Sequence, residues 1–188
     1  MNAYHRWACR SSYWKTALEE QMLPWTLDGI DLGENLLEVG PGPGLTTDML
    51  RTRFARMTSV EIDRALAESL QRRMSGSNVR VVRGDATVLP FESGSFSGAV
   101  AFTMLHHVPS AALQDKLLAE VCRVLKPGGA FAGIDSVTSL RMKLVHIADT
   151  MVTVDPSTFS RRLEAAGFTR PSVELRPGKF RFQAYRPG

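Results

Sequence analysis

The sequence predicts an α/β protein: a doubly wound, mostly parallel seven-stranded sheet with its last strand antiparallel, and a helical extension at the N-terminus. Three observations predict it. Short apolar or β-branched runs alternate with helix-period segments from Asn35 to Ser136, the signature of strands joined by covering helices. Two further strand-like runs close the chain across Arg176-Pro177-Gly178-Lys179, a connection too short for a parallel crossover. The 188 residues carry no repeat, low-complexity tract or long linker, which fits one domain with a full core.

The elements follow in order. Residues 6 to 26 carry an apolar stripe, Trp7, Trp14, Leu18, Met22 and Trp25, at spacings of seven, four, four and three, one face of a helix. Residues 1–30 are therefore read as a helical cap on a main domain of residues 31–188, either a lid or a helix packed on the sheet. Asn35–Val39 is a strand, Gly44–Arg53 a helix, Thr58–Ile62 a strand, Ala65–Met74 a helix and Val79–Arg83 a strand. Gly98–Thr103 is a strand, and Ala111–Leu125 a helix stopped by Lys126-Pro127-Gly128-Gly129. Ala130–Ser136 is a strand and Pro156–Ala166 a helix stopped by Gly167. Ser172–Leu175 and Phe180–Tyr185 form the closing pair. In such a sheet ligands bind at the carboxyl ends of strands, so functional residues are expected after Val39, Ile62, Gly84 and Thr103.

Composition excludes several classes. At 44% hydrophobic and 22% charged residues the chain has a globular balance, and no apolar run is long enough for a membrane span. The start, MNAYHRWACR, has no apolar core of a secretory leader. Cys9 and Cys122 are too few and scattered for a disulfide framework or a zinc site, so a cytoplasmic protein without a metal is expected. The net charge is +4, and its excess sits at the end. Seven basic residues (Arg161, Arg162, Arg170, Arg176, Lys179, Arg181, Arg186) face two acids (Glu164, Glu174) from Ser157 onward, against 16 and 17 elsewhere. A solvated face explains this more simply than an anionic partner, and no aromatic-rich motif accompanies it for nucleic acid.

The chemistry concentrates at Gly40-Pro41-Gly42-Pro43-Gly44, between a strand and a helix. Glycines admit positive φ and close ligand approach, and prolines stiffen the loop, giving a rigid concave turn without side-chain bulk. It lacks the Gly-Lys-Ser/Thr of a phosphate loop and the G-x-G-x-x-G spacing of a dinucleotide fingerprint. Glu38 precedes it, a carboxylate that repels phosphate and suits an ammonium or sulfonium group. Glu61 follows Gly42 by 19 residues, the spacing at which an acid reaches a ribose diol. Asp63 could serve instead, but it is better placed as the N-cap of the next helix. Asp85 ends the third strand, where a carboxylate can accept from an exocyclic amino group. Together the three acids match S-adenosylmethionine (SAM) better than NAD.

These stretches resemble the class I SAM-dependent methyltransferases, in the large group that includes ubiquinone-biosynthesis and small-molecule enzymes. The matching pieces are Glu38 to Gly44, Val60 to Asp63, Gly84-Asp85-Ala86 through Leu89-Pro90-Phe91, Phe102 through Leu105-His106-His107-Val108, and Leu125 to Gly129. They run in the family's order over residues 36–136, and Phe159 to Phe168 resembles its last helix-to-strand step. The resemblance implies a Rossmann-like methyltransferase fold with SAM as cofactor. It implies that Gly40, Pro41, Gly42 and Gly44 border the methionine portion and ribose, and that Glu61 and Ile62 hold the ribose side. It places Asp85 and Ala86 at the adenine, and Thr103, Met104 and Leu105 between cofactor and acceptor.

Catalysis is less determined. His106 and His107 sit in the resembled motif, and one of them is expected to fix the loop by a hydrogen bond to backbone. His146 lies in the short segment between the fifth strand and the last helix. Any of the three is a candidate base, needed only if the acceptor must lose a proton. The motif Asn/Asp-Pro-Pro-Tyr/Phe of base-amine methylation is missing after the fourth strand, where the chain reads Phe102-Thr103-Met104-Leu105. The expectation is a small-molecule methyl acceptor. RNA methylation, SAM binding without catalysis and, last, an NAD-dependent oxidoreductase remain as alternatives.

Overall fold

The computed structural model describes residues 11–137 and 150–188. Helix α1 (Ser12–Ala17) passes through a π-helical turn (Leu18–Met22) into α2 (Leu23–Leu27). The stripe thus forms a broken helix rather than one continuous rod. Trp7 lies outside the described residues. Strand β1 (Asn35–Val39) leads to α3 (Leu45–Leu50), β2 (Arg56–Glu61) to α4 (Arg64–Arg73), and then come β3 (Val79–Arg83) and β4 (Phe96–Phe102). After a short 3-10 turn (Leu105–His107), α5 (Ala111–Val124) runs into β5 (Leu125–Ser136). Helix α6 (Pro156–Ala165) precedes β6 (Thr169–Arg176) and β7 (Lys179–Tyr185).

The strands form one seven-stranded sheet in the order β3-β2-β1-β4-β5-β7-β6. β7 is the single reversed strand, antiparallel to both β5 and β6. Alternate residues feed opposite cores, as a sheet covered on both faces requires. Leu37, Ala101 and Phe131 pack with α5 and α6, whereas Leu36, Val100 and Ala132 pack with the N-terminal helices, α3 and α4. Phe131, Phe159, Phe180 and Phe182 centre the first core, and burying each ring contributes about 1.5–3 kcal/mol. On the second face Leu18, Met22, Leu23 and Trp25 are all buried. Arg181 donates to the Trp25 carbonyl, and Gln183 to those of Thr26 and Asp28, which bolts α2 to β7.

Two boundaries differ instructively from the sequence expectation. The Lys126-Pro127-Gly128-Gly129 stretch belongs to β5 rather than to a free stop. Leu125 pairs with Phe96, and Gly128 and Gly129 exchange backbone hydrogen bonds with Arg186. β6 is longer than expected because its edge is held along its length by β7, from Thr169 to Arg176. The strand order reverses between β1 and β4, so their carboxyl ends open a crevice at the switch point.

Candidate functional site

The glycine turn stands at this crevice. Gly40, Gly42 and Gly44 have φ of 65°, 55° and 82°, the left-handed region that only glycine adopts cheaply. A Cβ on Gly40 would lie 3.0 Å from Met104 of the β4 loop, so the two carboxyl ends touch across the crevice. Behind the turn, Arg73 of α4 donates to the carbonyls of Pro43 (3.0 Å) and Gly44 (3.1 Å) and pairs with Asp48 at 3.3 Å. The turn has no cation of its own, and the fold clamps it with one from 29 residues onward.

Glu61 is the acid that meets the turn. Its carboxylate accepts from the Gly42 N–H and the Asp63 N–H, both at 2.9 Å. Each carboxylate oxygen has two acceptor sites, so both retain capacity for a diol. Burial pushes the Glu61 pKa up, against the pull of these backbone donors. Asp63 caps α4, accepting from Ala65 and Leu66, as its position in the sequence indicated. Ile62, alongside, is 66% exposed, and Val88 beyond Asp85 is 61% exposed. Such large apolar side chains at water, next to convergent polar groups, suit a flat aromatic ligand. Val88 escaped the sequence reading because an isolated valine carries no motif. Asp85 is exposed; one oxygen accepts from the Thr87 N–H at 2.8 Å and the other stays open. Ala86 is half-buried against the core.

Glu38 stands differently from the expectation. It is 1% exposed and accepts from the hydroxyls of Thr46 (2.5 Å), Thr47 (2.6 Å) and Ser59 (2.7 Å). Burial raises its pKa, opposed by those three donors. It braces the start of α3 beneath the turn instead of presenting its charge to a ligand. Pro41 and Gly44 are buried with it. Leu105 is another correction: it is 1% exposed in the core, and its carbonyl accepts from Gln114. Met104, not Leu105, flanks the crevice.

Thr103 directly follows β4 at φ 50°, a strained value for a β-branched residue, while its N–H donates to the Ile134 carbonyl at 2.7 Å. The strain turns the chain sharply, so that His106 tucks under the edge. His106 is 2% exposed. Its Nδ1 lies 2.5 Å from Oδ1 of Asp135, and its backbone N–H donates to Oδ2 at 3.2 Å. Its carbonyl accepts from Val152 at 2.8 Å. His106 therefore fixes the loop as expected of one histidine, but through a carboxylate rather than through backbone. Asp135, at the end of β5, was missed; its signal is an acid in an otherwise apolar strand. His107 is half-buried with its ring centroid 4.2 Å from that of His106. His146 lies outside the described residues. Among the described residues, no cluster of His, Cys, Asp or Glu has metal-binding geometry.

The sequence family described as a methyltransferase domain matches residues 37–133, from β1 to β5. This chain belongs to the class I SAM-dependent methyltransferases. It is 37% identical over 99 residues to phthiotriol/phenolphthiotriol dimycocerosates methyltransferase 1 of Mycobacterium ulcerans, covering 52% of this chain and 35% of that protein. It is 34% identical over 98 residues to demethylmenaquinone methyltransferase of Clavibacter sepedonicus (52% and 39% covered). It is also 30% identical over 149 residues to ribosomal RNA small subunit methyltransferase A of Cupriavidus taiwanensis (68% and 51% covered). The chain thus spans between 35% and 51% of the length of these curated relatives. The PH0226 protein of Pyrococcus horikoshii shares the fold, with a TM-score of 0.78, 18% identity and coverage of 96% and 94%. Among the described residues no helix is long and apolar enough to cross a membrane.

Proposed function

We propose that this methyltransferase moves a methyl group from SAM to an O, N or C atom of a small-molecule acceptor. The observation that carries the cofactor half is the bond from Gly42 to Glu61, which couples the concave turn to an acid with open acceptor capacity. Gly40 and Gly42 take the methionine and ribose portions against bare backbone. Glu61 takes the ribose hydroxyls, and Asp85, between Ile62 and Val88, takes the adenine amino group.

When bound, SAM supplies a methyl group already activated by its sulfonium, so the chain's own work is placement. Thr103 and Met104 border the acceptor and hold it in line, with reacting atoms about 3–3.5 Å apart. Exclusion of water by Met104 strips solvent from the nucleophile. His107 is the described histidine nearer to solvent, and so the better candidate where a hydroxyl acceptor must lose a proton.

An RNA acceptor has a specific observation against it: the tail's basic side chains are largely committed within the protein. Arg162 pairs with Asp115 at 2.6 Å, Arg170 stacks on Tyr185 at 4.2 Å, and Arg186 donates to the carbonyls of Arg123 and Leu125. The test is calorimetric titration with SAM and with its demethylated product, S-adenosylhomocysteine (SAH), followed by methyl transfer from labelled SAM to metabolite and RNA fractions. Glu61→Gln is expected to weaken SAH binding about 10–100-fold, the loss of hydrogen bonds to a charged acceptor. Gly42→Val should abolish it. Undiminished binding in both variants would remove the site assignment. Label entering RNA alone would refute the small-molecule reading, and label entering nothing would favour a SAM-binding protein without catalysis.

A further inference from the structure

The carboxyl edge does not end at β5. Because β7 runs antiparallel, its first residue lies at that edge, with Lys179 abreast of Ser136 and Phe180 abreast of Asp135. On the other side Lys179 pairs in register with Arg176, the last residue of β6. The Val137 N–H donates to the Gly178 carbonyl at 3.1 Å, fastening the hairpin turn to the place where β5 ends. The turn thus stands beside Asp135, whose neighbour Ile134 receives the Thr103 N–H.

The charges at this turn do not balance. Glu174, the one acid of the hairpin, is bound by Arg181 at 2.6 Å. Arg176 lies over the Trp25 ring at 4.3 Å. Lys179 is half-buried and makes no ion pair among the described residues. Burial and the neighbouring Arg176 both push its pKa below the usual lysine range. An ammonium so placed is held in a less favourable setting than water, and an incoming anion relieves it. The other cations of the tail have partners or face open solvent.

We propose that Lys179, with Arg176 beside it and the Ser136 hydroxyl abreast of it, forms a subsite for an anionic group on the methyl acceptor, a carboxylate or a phosphate. This rests on the reading of the carboxyl edge as the methyl-transfer site, and it narrows the acceptor class to small acids. The subsite binds the acceptor's charged end and leaves the methylated atom to the β4 loop.

The test titrates inorganic phosphate and benzoate into the full chain saturated with SAH. Both are expected to bind, and Lys179→Met to weaken them about tenfold or more, as loss of a charged hydrogen bond does. Lys179→Arg should retain binding, and no variant should lose SAH affinity or melting temperature. Arg170→Gln removes the same charge at the opposite end of β6 and should change nothing. No anion binding by the wild-type chain, or equal weakening by Arg170→Gln and Lys179→Met, would overturn the subsite. Failure of SAH itself to bind would instead overturn the cofactor reading, and with it the role of the subsite in acceptor binding.

Discussion

Replacing Thr103 by glycine should make this protein more stable, although most substitutions at a half-buried site do the reverse. Thr103 sits at φ 50° with a branched Cβ. Holding such a residue there costs about 1–3 kcal/mol, which glycine avoids. Glycine loses about 0.5–1 kcal/mol through its freer unfolded chain. The bond from its N–H to Ile134 at 2.7 Å is a backbone bond and survives the change. The net expectation is a gain of about 1 kcal/mol, seen as a higher urea midpoint at unchanged slope. Thr103→Ala retains the positive φ and should gain little. Methyl transfer should fall in Thr103→Gly, because the strained corner aims Met104 at Gly40 and seats His106 on Asp135. A glycine variant less stable than wild type by 1 kcal/mol or more (roughly the average for point substitutions) would refute the claim that strain is stored here.

Two further outcomes follow from buried carboxylates. Burial raises the Glu38 pKa above its ordinary 4.5, so the folded chain holds that proton to higher pH than the unfolded one. Its stabilising contribution is complete below pH 4.5 and is lost as pH rises through the folded value. Glu38 should therefore contribute a decline in unfolding free energy of up to about 1.4 kcal/mol per pH unit in that window, and Glu38→Gln should remove that contribution and leave the one from Glu61. An identical slope in the variant, followed by urea midpoints across the range, would contradict this. Asp135→Ala removes the carboxylate that accepts from the His106 ring, the His106 N–H and the Ser136 N–H; a loss of about 3–5 kcal/mol is expected, with a smaller loss for Asp135→Asn. SAH affinity should be nearly unchanged in Asp135→Asn. A loss in Asp135→Ala no larger than that of a surface substitution would mean that the pair does not brace the loop.

What the sequence determined by itself was local and periodic. Short apolar runs sufficed for the central strands, because a strand covered on both faces must be apolar along its length. The short Arg176–Lys179 link sufficed for the reversed β7. The glycine turn, Glu61 at its spacing and the cap at Asp63 were legible because each is a backbone requirement written in residue type. The tertiary structure decided which groups meet. Glu38 reads as a ligand-facing charge until Thr46, Thr47 and Ser59 converge on it, the last of them 21 residues away. His106 reads as either a candidate base or a loop anchor until its burial and the bond to Asp135, 29 residues on, seat it beneath the edge. Arg73 joins the turn from the far end of α4, and Lys179 reaches the carboxyl edge only because β7 is reversed and inserted beside β5. Such pairings depend on register and strand order, which periodicity leaves open: a carboxylate's role follows from the donors that surround it, and those arrive only when distant strands are laid side by side.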